Sequence, residues 1–387
     1  MPRLPSFSAF QANAFTWNFA LGMTNLLVPL YAHDLGMSGV SIGSLIALPM
    51  LVQIGFNLLG GAYADRLGAK QTSLFACVSM MIAAVIYAFS ANYAGLLAGQ
   101  LVMILSRAAF WPSNWALASQ LPGERSRNLG RLNATSDSGQ IIGIALTGMV
   151  IAHFGFRFGF WMVGTMGFVA LLFALSIAQQ RAAQPARQAL FATYGAMLRQ
   201  RPIYLAVLCA YISALPFSLA MSFFPILLVE QGYSSEATGW LLAFRALGSI
   251  AAGMALAHLV RRATDRLPPF VAAVLAAISV GLVALFVHPL WAGLCLLTLG
   301  IASGMMTTYF QMLVSAISSA QQRASAMALG GLGWGLSHLS TLLLVGALSD
   351  KWGIQIAFYA LSVVVLFVGM LFPATQRWAL ARAGRPS

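Results

Sequence analysis

Twelve apolar runs, each near the roughly 20 residues that span a bilayer's hydrocarbon, leave this chain few folds to choose from. They cover about 9–32, 40–62, 71–90, 93–118, 129–152, 158–178, 203–230, 236–259, 268–287, 290–318, 325–347 and 354–373. The runs are continuous, whereas strands of a membrane barrel alternate apolar and polar side chains over about 10 positions. With 60% hydrophobic and only 7% charged residues and a mean hydropathy of +0.83, a soluble core is excluded as well. The spacing predicts an all-α polytopic membrane protein of twelve transmembrane helices.

Charge sets the orientation. The formal net charge is +13, but the cations sit in alternate loops and form no single basic face, so nucleic acid is not an expected partner. With both termini cytoplasmic, only Arg157 and Lys351 of the 21 Lys and Arg fall in outer loops. Arg107 and Arg245 fall within helices, and the others lie inside, as the positive-inside rule requires. The first run, Phe10 to about Tyr31, is too long for the core of a signal peptide, so no cleaved leader is expected. Cys77, Cys209 and Cys295 each lie in an apolar run, which reads as core thiols rather than a disulfide framework or a metal site.

The chain repeats. Leu35-Gly36, Gly43 and Ala47 align with Gln231-Gly232, Gly239 and Ala243, 196 residues later. Gly148, Gly155 and Phe160 align with Gly346, Gly353 and Phe358, 198 residues later. Two pseudo-symmetric six-helix bundles are expected, over 1–180 and 202–387, joined by a cytoplasmic linker at 181–201 marked by Arg181, Pro185 and Arg187.

Between the second and third runs stands Gly61-Ala-Tyr-Ala-Asp65-Arg66-Leu-Gly68-Ala-Lys70. It resembles the loop signature of the major facilitator superfamily of secondary transporters, Gly-x-x-x-Asp-Arg/Lys-x-Gly-x-Arg/Lys-Arg/Lys, with Gln71 in place of the last cation. The resemblance extends over nearly the whole chain. It implies two rocking halves around a central site, with Gly61, Asp65, Arg66, Gly68 and Lys70 in the conformational change. The family's antiporter pattern in the fifth helix is met by Gly130, Gly139, Gly143 and Gly148, but Ile144 replaces its Pro and Thr147 a Gly. Gly139 and Gly143 are therefore read either as gating positions or as a packing face.

Ionisable groups at bilayer depth are functional suspects, since each costs roughly 2.5–3.5 kcal/mol to place there. Arg107 lies about 21 Å from the outer end of the fourth helix and Asp137 about 12 Å above the inner end of the fifth. At these similar depths they form either a proton-responsive pair or a permanent structural one. Arg245, in the eighth helix, has no acidic residue expected at its depth. It is read as a site for an acidic group of the cargo, or as bonded to Gln53, Asn57 or helix carbonyls. His338 is either a proton shuttle or a satisfied core histidine. The resemblance places the cavity on helices one, four, seven and ten. These carry Asn18, Asn25, Trp111, Asn114, Tyr211, Tyr309 and Gln311, a set suited to an amphipathic organic solute.

Gly330-Gly331-Leu-Gly333 lies in an apolar run and not between a strand and a helix, so a nucleotide-binding loop is excluded, and with it enzymatic ATP hydrolysis. No cofactor or metal is expected. The resemblance implies a monomer in the lipid bilayer of the bacterial inner membrane, with protons and a small molecule as partners. The reading is proton-coupled efflux of a small acidic, zwitterionic or amphipathic solute. Its alternative is a proton-coupled importer of an organic anion or a siderophore-like metal chelate. A sensor or lipid flippase on the same fold stands behind both.

Overall fold

The computed structural model describes residues 6–120, 125–177, 195, 197–256, 267–285, 287–318 and 323–381; the side chains of 57–67, 253–256 and a few neighbouring positions fall outside that description. So do most of the linker at 181–201 and the basic segment at 261–266.

The helices are α1 (Ser6–Asp34), α2 (Gly39–Leu67), α3 (Ala69–Phe89), α4 (Tyr93–Gln120), α5 (Arg125–Ser176), α6 (Arg201–Ala220), α7 (Phe223–Glu230), α8 (Ser235–Leu256), α9 (Leu267–Leu285), α10 (Pro289–Ile317), α11 (Arg323–Trp352) and α12 (Ile354–Leu380). The described residues contain no strand. As one straight rod the 52 residues of α5 would reach about 78 Å, more than twice the hydrocarbon thickness. Gly155, at φ 77°, folds it into two arms, and each arm is one of the expected runs. The seventh run behaves in the opposite way. It is unbroken in the sequence, yet α6 and α7 are separated by a turn at Met221 and Ser222. Pro225 has no N–H for the carbonyl of Met221, four residues back, and its ring crowds that carbonyl. Counted as crossings, the two arms of α5 and the broken α6–α7 rod give the twelve helices that the apolar runs predict.

Nine helices of the described residues are long and apolar enough to cross a membrane. Of the rest, α7 is short, and α1 and α8 carry polar groups inside. In α1 the polar side chains Asn13, Asn18, Thr24 and Asn25 are all buried, and in α8 Thr238 and Arg245 are. Such a polar face meets other helices or water, while the opposite side of α8 exposes Trp240, Phe244 and Leu247. Other helices likewise expose large apolar residues such as Phe89, Val363, Phe367 and Met370.

The repeat survives as hydrogen bonds. At the end of α1, Gly36 N–H donates to the His33 carbonyl and Met37 N–H to the Ala32 carbonyl. At the end of α7, Gly232 N–H donates to Val229 and Tyr233 N–H to Leu228 in the same pattern. Both are Schellman motifs, which need a left-handed residue, and Gly36 and Gly232 supply it at φ 72° and 91°. The next helix then starts alike in both places. Ser38 Oγ accepts from Ser41 N–H, and Ser234 Oγ accepts from Ala237 N–H.

The described chain clusters into two compact units. One contains Met1–Met37, Leu48–Ala186 and Leu228–Ala243; the other contains Ser38–Ala47, Arg187–Leu227 and Phe244–Ser387. Each unit thus includes the first turns of a helix that belongs by sequence to the other half. In the first unit, Gly148 of α5 meets the backbone of Ser235 and Glu236 at the start of α8, and Gly239 meets the carbonyls of Ile144 and Ala145. In the second, Gly39 and Gly43 at the start of α2 meet the carbonyls of Gly346 and Leu342 on α11. The two crossings are repeat counterparts, and a Cβ at any of these glycines would collide with backbone.

At the second crossing a carboxylate from one helix caps the start of the other. Asp350, near the end of α11, accepts from Gly39 N–H at 2.5 Å and from Val40 N–H at 2.9 Å. With Ser41 N–H on the Ser38 hydroxyl, the donors of Gly39, Val40 and Ser41 are all satisfied before Ile42 N–H makes the first helical bond to the Ser38 carbonyl. A negative charge at that end also complements the helix dipole. The counterpart of Asp350 in the first half is Ala152.

Candidate functional site

In the second unit the buried charge Arg245 belongs to a ring cluster. Its guanidinium lies over the face of Phe217 from α6, 5.8 Å from the ring centroid. Phe217 is flanked by Trp334 and His338 of α11, with ring centroids at 5.6 and 5.9 Å. Trp334 and His338, one helical turn apart, stack at 6.0 Å with planes 23° apart. His338 Nδ1 lies 2.9 Å from the Trp334 carbonyl, which fixes that ring.

Packing fixes the backbone behind Arg245. Gly300 of α10 presses on the carbonyl of Arg245, and one turn on Gly304 presses on that of Ser249. Gly333, beside Trp334, sits against the Val207 carbonyl and the backbone of Tyr211 on α6. None of these three contacts admits a Cβ, so α8 and α11 are held close to their neighbours.

Arg245 is only 5% exposed, and its Nε has no hydrogen-bond partner. Placing it at this depth costs roughly 2.5–3.5 kcal/mol. A well-placed desolvated cation–π contact returns about 2 kcal/mol or more, but this one, at 5.8 Å, is near the distance limit. The ring alone does not balance the charge, and an anionic oxygen would.

The other expected site residues of this unit separate. Tyr211 is half-buried, with its hydroxyl 2.8 Å from Ser340 Oγ. Tyr309 is fully buried, accepts from Gln376 Nε2 at 2.6 Å and packs on Phe372. Gln311 is exposed.

In the first unit the polar groups line α1 and α4. Trp17 stacks on Phe110 at 3.8 Å and donates through Nε1 to Ser106 Oγ, which itself donates to the Ala76 carbonyl. Trp111, half-buried, stands edge-on to Trp17 at 6.5 Å. Asn18 and Asn114 each donate to a carbonyl one turn back, at 2.8 and 3.0 Å, and each leaves a buried Oδ1 without a partner. Asn25 leaves a buried Nδ2 in the same state. Such orphaned groups cost about 1–3 kcal/mol each unless a ligand or water meets them.

Arg107 is buried near Tyr87. Asp137 is half-buried on α5, beside Ser136, whose buried hydroxyl has no partner. Similar depth does not bring Arg107 and Asp137 together, for no ion pair joins them among the described residues. Gly139 and Gly143 press on the carbonyls of Phe15 and Phe19, so both form the contact of α5 with α1.

Of the loop signature, the side chains of Gly61, Asp65 and Arg66 lie outside the described residues, as does that of Asn57. Gly68 makes the turn before α3 at φ 84°. Lys70 donates to the carbonyls of Leu175 and Ile177 at 2.9 and 2.6 Å, capping the second arm of α5.

With this geometry in hand, similarity decides the family. A family model described as Major Facilitator Superfamily matches residues 12–339 and 212–383. The chain belongs to the Major Facilitator Superfamily. It is a multi-pass membrane transporter and not an enzyme, and its fold is the twelve-helix fold of that superfamily. Among curated relatives, the Quinolone resistance protein NorA of Staphylococcus aureus is 26% identical over 168 residues, a match that spans 42% of each chain. The Multidrug resistance protein MdtG of Klebsiella pneumoniae is 24% identical over 392 residues, covering 96% of this chain and 93% of its own. Among solved structures, the nucleoside transporter NupG superposes with a TM-score of 0.79 at 16% identity, over 95% of this chain and 99% of its own. A bacterial homolog of the human lysosomal transporter Spinster also gives 0.79 at 16%, over 99% of both. At such identities these structures speak for the fold alone.

Three participants escape a reading of the transporter's sequence. Phe217 and Trp334 look there like any aromatic in an apolar run. The one available signal is that Trp334 stands four residues before His338, on the same helix face. Asp350 is one of only 8 acidic residues and lies in the last turn of α11, but the α2 terminus it caps is 311 residues away.

Proposed function

We propose that this transporter is a secondary active carrier that exports a small organic solute, acidic or zwitterionic, across the bacterial inner membrane by proton-coupled alternating access. Both termini are cytoplasmic in this reading, and the working unit is a monomer. The observation that carries it is Arg245, a buried cation whose Nε lacks an acceptor inside a ring cluster. An unsatisfied donor of that kind is complementary to a carboxylate or phosphate oxygen. Tyr211, in the same unit, supplies aromatic surface; the first unit has its own unpartnered polar atoms, Oδ1 of Asn18 and Asn114 and Nδ2 of Asn25. Efflux is favoured by the names of the two curated relatives, both resistance proteins. Asp137 is the proton-responsive group, since a half-buried carboxylate without an ion pair is free to change protonation during transport.

The test is efflux from energised everted vesicles carrying the transporter. An imposed proton gradient drives accumulation of an organic anion in the vesicles, and a protonophore collapses it. Accumulation only in right-side-out vesicles favours the second reading, import of an organic anion, which the same Arg245 would serve.

A further inference from the structure

We propose that the Arg245 subsite selects planar aromatic anions, such as a carboxylate borne on a ring, over aliphatic anions of the same charge. This deepens the reading that Arg245 meets cargo, and rests on it. Three features coincide. Arg245 Nε is a buried donor without an acceptor. Its guanidinium is held over a ring, Phe217, which is half-buried and so keeps part of its surface uncovered. Trp334, also half-buried, stands 5.6 Å from that ring and is locked in parallel with His338.

A donor and a planar apolar surface thus lie side by side. An aliphatic anion meets the Nε but gains no ring contact. A neutral aromatic gains the ring contact but leaves the cation bare. Only a ligand with both features uses the whole subsite. The glycine contacts behind Arg245 and Trp334 keep donor and rings in fixed relation, so selectivity does not depend on rearrangement.

The experiment is calorimetric titration of the purified full-length transporter in nanodiscs with benzoate, cyclohexanecarboxylate and benzamide. Benzoate is expected to bind tighter than cyclohexanecarboxylate by about threefold to tenfold, the range of an aromatic contact, and tighter than benzamide by more. Phe217→Leu should bring benzoate down to the level of cyclohexanecarboxylate, and Phe217→Tyr should restore the gap. Arg245→Gln should bring benzoate down to the level of benzamide. Equal binding of the two carboxylates by the unaltered protein overturns the aromatic selectivity, as does a gap that persists in Phe217→Leu. A carboxylate-to-amide ratio unchanged in Arg245→Gln overturns instead the underlying reading that Arg245 meets the anion. No heat with any of the three ligands, from protein that elutes as one species, overturns both. Each variant is compared at a melting temperature shown to match the parent.

Discussion

At the scale of single residues, the account turns on whether a buried charge is there for stability or for a ligand. Arg245 costs roughly 2.5–3.5 kcal/mol to hold at bilayer depth, and the Phe217 face, 5.8 Å away near the limit of a cation–π contact, offsets that by about 2 kcal/mol. A residue kept for stability would not be arranged this way. Arg245→Leu is therefore expected to leave the melting temperature of the purified protein unchanged or raised, while transport of an organic anion falls at least about tenfold. A lowered melting temperature with transport intact would show the arginine to be structural. Asp137 carries a separate expectation. Asp137→Asn should bind cargo like the parent yet lose the dependence of transport on an imposed proton gradient, read as tracer flux at two external pH values. Flux that still follows the gradient would remove Asp137 from the proton pathway. The place of each residue along its helix was legible in the sequence. Their azimuth was not, and azimuth decides that Arg107 and Asp137 do not pair.

At the scale of helices, backbone contacts without side chains set the geometry. Gly300 lies on the Arg245 carbonyl with no room for a methyl group. Gly300→Ala must push α8 from α10 and is expected to destabilise by about 1–3 kcal/mol, seen as a lower melting temperature together with weaker anion binding. Gly331→Ala is the matched control, because nothing lies within 4 Å of its would-be Cβ, and it should be silent. Asp350 acts on another element. Asp350→Ala strips two acceptors from the start of α2 and should cost about 1 kcal/mol, the scale of a lost helix cap. A cysteine placed at Val40 should then react faster with a membrane-impermeant maleimide; unchanged labelling would mean that the carboxylate does not hold that end. Turns were the most legible elements. Gly36 and Gly232 mark two Schellman turns, because left-handed backbone strongly favours glycine. The break at Met221 and Ser222 was less so, since Pro225 permits a kink without stating its size.

At the scale of the whole molecule, the apolar runs and the repeat carried the fold, because hydrocarbon thickness is a ruler that few sequences can evade. The candidate site was half legible. Charges and amides stand out against an apolar background, whereas Phe217 and Trp334 do not, because apolar residues surround each helix and hide which face meets a neighbour. The central claim is that this superfamily member carries an organic anion by way of Arg245. Counterflow tests it most directly. Proteoliposomes preloaded with unlabelled benzenesulfonate, which stays charged and does not leak as a neutral acid, are diluted into labelled tracer. The account predicts a transient overshoot of tracer in the vesicles with the parent protein and none with Arg245→Gln. No overshoot with the parent, or an equal one with the variant, would contradict it.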